Sequence, residues 1–72
     1  MEKVEYDRRH GGPFDRGSAD SYYQRGMQPH YYKGGTHASE RVGRVDMTVA
    51  EIEAYLAGYD YNEELGSFKE WD

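Results

Sequence analysis

Seventy-two residues with a net charge of −5 and no cysteine make at most one small domain, without a disulfide staple or thiol chemistry. Ile, Leu, Val and Phe number nine, about one residue in eight, whereas chains below roughly one in five default to disorder. Eight Tyr and one Trp offset that deficit, and no apolar run approaches the ~20 residues of a membrane span, so a soluble intracellular domain with an aromatic core is expected.

Residues 1–12, MEKVEYDRRHGG, are polar throughout and lack the apolar centre of a signal peptide. They read as a flexible segment ahead of a single small helical domain over 13–72. The next stretch, FDRGSADSYYQRG, predicts a first helix over about 16–25, with Asp15 as N-cap and Ser18 as a rival cap one turn later. Gly26 would end it and Pro29 prevents its resumption. Ala19, Tyr22 and Tyr23 then share one side, and Arg16, Asp20 and Gln24 another.

Twenty residues, 27–46, follow without helical or strand periodicity. So long a loop is unusual in a small domain. Tyr31 and Tyr32 before Gly34-Gly35 suggest a short strand and turn, with a long ordered loop as the alternative.

The second helix is the most strongly marked element. Thr48 and Glu51 form a capping-box pair, Met47 and Ile52 stand at the staple positions, and Gly66 suits a left-handed C-cap. The helix is expected over 49–65. At 100° per residue, Val49, Ile52, Tyr55, Leu56 and Tyr59 form one stripe, which should be buried. Glu53, Asp60 and Glu64 form another, unrelieved by Lys or Arg. Gly58 costs roughly 1 kcal/mol relative to Ala inside a helix, which points to a close packing partner there. Beyond the helix, Phe68, Trp71 or both should fold back over the core, in which Phe14, Tyr22, Tyr23 and Tyr31 face Ile52, Leu56 and Tyr59. The fold class is therefore mainly α: a small two-helix domain, with three helices as the alternative, a long ordered loop and an aromatic core.

Charge divides the chain unevenly. Residues 1–44 carry eight Lys/Arg against six Asp/Glu, and residues 45–72 carry one against eight. The back half offers an acidic face to a basic partner, or is simply solvated charge. His10, His30 and His37 match no compact zinc spacing and have no Cys to complete one, so neither a metal nor a cofactor is expected. His30, after Pro29, is expected to hydrogen-bond within the loop. There is no nucleophile elbow, and the glycine pairs lack the residues of a phosphate loop, so an enzyme is not expected.

The block F-D-R-G-x-A-D-x-Y-Y (Phe14–Tyr23), the pair Pro29-His30, the run A-Y-x-x-G-Y (Ala54–Tyr59) and the ending F-K-x-W (Phe68–Trp71) resemble a group of small proteins encoded by tailed bacteriophages of Gram-negative hosts. The resemblance covers most of residues 13–71. It implies the cytoplasm of an infected bacterium as the setting and a host protein as the partner. The A-Y-x-x-G-Y fragment alone is also similar to ribosome modulation factor, a strongly basic protein, whereas this chain is acidic.

Two functional readings follow. One is a non-enzymatic accessory protein that modulates a host factor through an acidic, nucleic-acid-mimicking face made of Glu53, Asp60, Glu64 and Glu70, anchored by Tyr61 and Trp71. The other is a nucleic-acid or ribosome binder using Arg8, Arg9, Arg16 and Arg25 for phosphates and Tyr31 and Tyr32 for stacking. Asp7, Asp15 and Asp20 interleave with those arginines and would cancel much of their field. A core this poor in aliphatics is also one that a homodimer would complete.

Overall fold

Thr48 opens the principal helix, α2 (Val49–Leu65), as the sequence predicts. Its hydroxyl accepts the Glu51 amide at 3.1 Å, and the Glu51 carboxylate accepts the Thr48 amide at 2.8 Å. Gly66 closes the helix in the left-handed region, at φ 67°. The computed structural model describes residues 6–34 and 40–70, and Trp71 and His37 lie outside them. Around α2 are arranged α1 (Pro13–Tyr22), an antiparallel pair β1 (His30–Tyr32) and β2 (Arg41–Gly43), and a single 3-10 turn, Arg44–Asp46. The chain is thus a small, mainly α domain. No helix among the described residues is long and apolar enough to cross a membrane.

The first helix starts earlier than expected. Pro13 occupies its first position, where its missing N–H is no loss and its fixed φ suits a helix, and Gly12 is the N-cap. Asp15 is therefore not the cap. It sits in the first turn, and its carboxylate accepts the Gly11 amide at 2.9 Å. The helix also ends earlier. The Arg25 amide reaches the Asp20 carbonyl and the Gln24 amide reaches the Ser21 carbonyl, the two bonds of a Schellman closure. Gln24, not a glycine, takes the left-handed position at φ 57°.

α1 and α2 cross on a pair of glycines. A Cβ placed on Gly58 would stand 2.0 Å from the Phe14 carbonyl oxygen, and one on Gly17 would stand 2.0 Å from the Tyr55 carbonyl oxygen. Each glycine thus accepts the backbone of the other helix where a side chain would be. The packing partner expected at Gly58 is the first turn of α1.

This crossing turns α2 away from its apolar stripe. Its most buried positions are Tyr55, Gly58 and Asn62, while Ile52, Leu56 and Tyr59 pack half-buried at the edge. Val49, expected inside, is 73% exposed because the crossing turns its side of α2 outward, and Met47, just before the cap, is buried. On α1 Phe14 is buried as expected, but Arg16, Gly17, Asp20 and Ser21 are buried with it, and Tyr22 and Tyr23 are only half-buried. The predicted loop supplies a strand pair. Tyr31 opposes Val42, and Val42 joins Met47 and Tyr55 in the central cluster. The tail is pinned by the Lys69 amide on the Tyr22 carbonyl, with Phe68 still partly exposed.

Candidate functional site

α2 carries five carboxylates, Glu51, Glu53, Asp60, Glu63 and Glu64, and no Lys or Arg. Glu53, Asp60 and Glu64 are exposed, and none of the ion pairs among the described residues involves them. Glu63 and Glu64 lie in the last turn of the helix, where unpaired carbonyls concentrate negative charge, and that turn has no basic residue. This placement opposes the helix dipole, a cost of ~0.3–1 kcal/mol per charge at low ionic strength. Glu63 alone has a local donor, the Ser21 hydroxyl. Glu70 is exposed beyond the helix. Tyr61, 40% exposed, packs its ring 5.7 Å from that of Phe14.

The four arginines proposed for phosphate contact are each engaged within the molecule. Arg8 lies between two rings, 4.6 Å from the Phe14 centroid and 4.7 Å from that of Tyr61. Arg9 donates to the carbonyls of Tyr32 at 2.8 Å and Gly34 at 3.2 Å. Arg16 is buried, its guanidinium 5.9 Å from the Tyr32 ring. Arg25 pairs with Asp20 at 3.2 Å and covers the Tyr23 ring at 4.5 Å. Tyr31 and Tyr32 are half-buried. A hydrogen bond with Glu51 is the main influence that raises the Tyr31 phenol above its ordinary pKa. The same carboxylate is held below its ordinary range, first by the Thr48 amide and then by Tyr31. The interleaving of Arg with Tyr and Asp in the sequence is therefore realised as internal cation–π and ionic contacts.

A second cluster lies inside. The Tyr55 hydroxyl donates to Asp20 Oδ2 and accepts the Gln28 amide at 2.9 Å. His30 Nδ1 bonds the Gln28 carbonyl at 2.7 Å, as expected of a loop histidine, and stands 3.7 Å from Asp20 Oδ2. Asn62 Nδ2 donates to Ser21 Oγ at 3.0 Å and to the Ser67 carbonyl at 2.8 Å. Burial, and then the Asp20 hydrogen bond, push the Tyr55 phenol well above its ordinary pKa. Tyr55 and Ser21 have no exposed surface, and Asp20 and His30 are buried. With no open face for a substrate, these groups fasten α1, β1 and α2 together. Sequence reasoning missed Asp20, Ser21 and Asn62. The available signal was their helical spacing from the two glycines: Gly17 with Asp20 and Ser21, and Gly58 with Asn62.

A surface cleft of about 560 Å³ is lined by Lys33, Arg41, Glu40, Asp46 and Glu51 among others, with Lys33 and Glu40 paired at 3.0 Å. Its mixed signs give no focused field for a charged ligand. Among the described residues, no three His, Asp or Glu side chains gather as a metal site. No protein-family model matches the chain, and no curated protein or solved structure is significantly similar to it.

Proposed function

We propose that this chain is a non-enzymatic binding protein that presents the Glu53–Asp60–Glu64 face of α2, extended by Glu70, to a basic protein surface. One observation carries the reading: the acidic residues stand exposed without ionic partners among the described residues, while Arg8, Arg9, Arg16 and Arg25 are each engaged by rings, carbonyls or a carboxylate of the same chain. The field offered to a partner is therefore negative on this side. Carboxylates kept at the wrong end of a helix dipole lower the stability of the free protein and would be relieved by a bound cation. On the resemblance to small phage proteins, the partner is a host bacterial protein, the setting is the host cytoplasm, and the acidic face takes the place of nucleic acid on it.

The test is capture from bacterial lysate, with and without nuclease, by the wild type and by the triple variant Glu53→Lys, Asp60→Lys, Glu64→Lys. The wild type should retain basic proteins whether or not nuclease is present, and the triple variant should lose them with its helical content intact. Equal capture by both proteins would reject the acidic face. Capture that disappears with nuclease would favour the nucleic-acid reading.

A further inference from the structure

The contact of Arg8 is unlike those of the other three arginines. Its side chain is exposed, and no hydrogen bond or ion pair among the described residues holds it. Among the described residues it rests on the Phe14 and Tyr61 rings, 4.6 and 4.7 Å from their centroids. Those rings stand 5.7 Å apart and tilt by 51°, and the Tyr6 ring stacks with that of Phe14 at 6.0 Å. The walls belong to two rigid helices whose spacing the glycine crossing fixes. The occupant belongs to the arm before α1, which is anchored one residue later by Arg9. A cleft of about 320 Å³ lies between that arm and α2, lined by Tyr6, Asp7, Pro13, Ala50 and Ala54 among others.

We propose that the Phe14–Tyr61 pair is a receptor for one arginine side chain of the basic partner, and that Arg8 occupies it as an internal surrogate which the partner displaces. The inference rests on the acidic-face reading and specifies its anchor. A planar, weakly hydrated guanidinium stacks on rings better than an ammonium, so arginine is favoured over lysine. Exchanging one guanidinium for another is nearly neutral between the rings. The advantage of the partner's arginine comes from its neighbours, which meet Asp60, beside Tyr61, and Glu64, one turn further on. Arg8 thus lowers the apparent affinity by the fraction of time that it fills the site. Arg9 keeps the arm in place when Arg8 leaves.

The probe is a blocked octapeptide of Gly and Ser with two Arg, compared with the same peptide carrying citrulline for Arg. Affinity is read by titration, and the shifts of the Phe14 and Tyr61 ring protons by NMR. Arg8→Ala should bind the arginine peptide about tenfold more tightly than the wild type, as removal of a competing guanidinium from its contacts with the Phe14 and Tyr61 rings predicts. The ring protons should move on binding. The citrulline peptide should bind at least tenfold more weakly than the arginine peptide. Tyr61→Leu, checked for helical content, should weaken binding of the arginine peptide.

Unchanged or weaker binding by Arg8→Ala, or equal binding of the citrulline peptide, would overturn the proposal. If Arg8→Ala has no effect while the triple charge reversal still abolishes binding, the acidic face stands and only the arginine receptor falls. If neither wild type nor Arg8→Ala binds and lysate capture also fails, both fall.

Discussion

Gly58→Ala tests the architecture at its tightest point. On an exposed helix this change would stabilise by roughly 1 kcal/mol, because alanine is the better helix former. Here the new methyl would sit 2.0 Å from the Phe14 carbonyl oxygen and 2.8 Å from the carbonyl carbon, and neither is a side chain that can rotate away. An ordinary contact begins near 3.4 Å, so α1 and α2 must separate locally by about 1.4 Å. Separation loosens the Gly17 contact and stretches the Asp20–Tyr55 and Ser21–Asn62 bonds. Overpacking against rigid atoms costs ~1–3 kcal/mol, and the immobile backbone places this site at the upper end. Less the propensity gain, the net loss is about 2 kcal/mol, a large part of the ~4–11 kcal/mol expected for a domain of this size. The melting temperature should fall by about 8–16 °C.

The assay is urea and thermal unfolding followed by far-ultraviolet circular dichroism, with Ala57→Gly as the propensity control. Gly17→Ala should behave like Gly58→Ala, and the double variant should cost less than the two singles added, because one separation relieves both clashes. A Gly58→Ala protein as stable as the wild type, or more so, would refute the crossing.

Thr48→Ala should cost about 1 kcal/mol in urea unfolding, while the Glu51 carboxyl, followed by NMR, should stay below its ordinary range because the residue-48 amide that chiefly lowers it remains. The raised Tyr55 phenol predicts alkaline sensitivity. Above about pH 10 the unfolded tyrosine loses its proton while the folded one keeps it, so stability is full below that pH and declines as pH rises towards the folded value. Tyr55→Phe should flatten this decline in stability-against-pH measurements, but lower stability at neutral pH by leaving buried Asp20 short of a donor. Gln24→Gly should raise the midpoint by removing left-handed strain of about 1 kcal/mol, less the exposed bond from Gln24 Nε2 to the Lys69 carbonyl. An unchanged or lower midpoint would show that the tail contact outweighs the strain.

The two helices differed in how far they could be read from sequence. α2 announces itself locally: its cap, staple and terminal glycine lie within the helix or beside it, so its bounds follow from neighbours in the chain. α1 has no side-chain cap, and it starts at Pro13 and ends on a glutamine in the glycine conformation. Its inward side was misjudged for a non-local reason. Asp20 and Ser21 look like surface residues until Tyr55, Asn62 and Glu63 are brought to them from 35 to 42 positions away. Hydropathy alone misplaced Val49 for a similar reason, since it does not say how α2 is rotated against its neighbour. The exposure of Glu53, Asp60 and Glu64 was legible because a carboxylate row without cations has few ways to be buried. The capture of Arg8 by Phe14 and Tyr61 was not, since its walls come from two helices.

The glycine crossing also offers a marker of distant kinship. The contact is made by main chain and by three bonded side-chain pairings, so most surrounding positions are free to drift. G-x-x-D-S on one helix and Y-x-x-G-x-x-x-N on another, here Gly17–Ser21 and Tyr55–Asn62, would identify a cousin whose remaining residues had diverged beyond alignment.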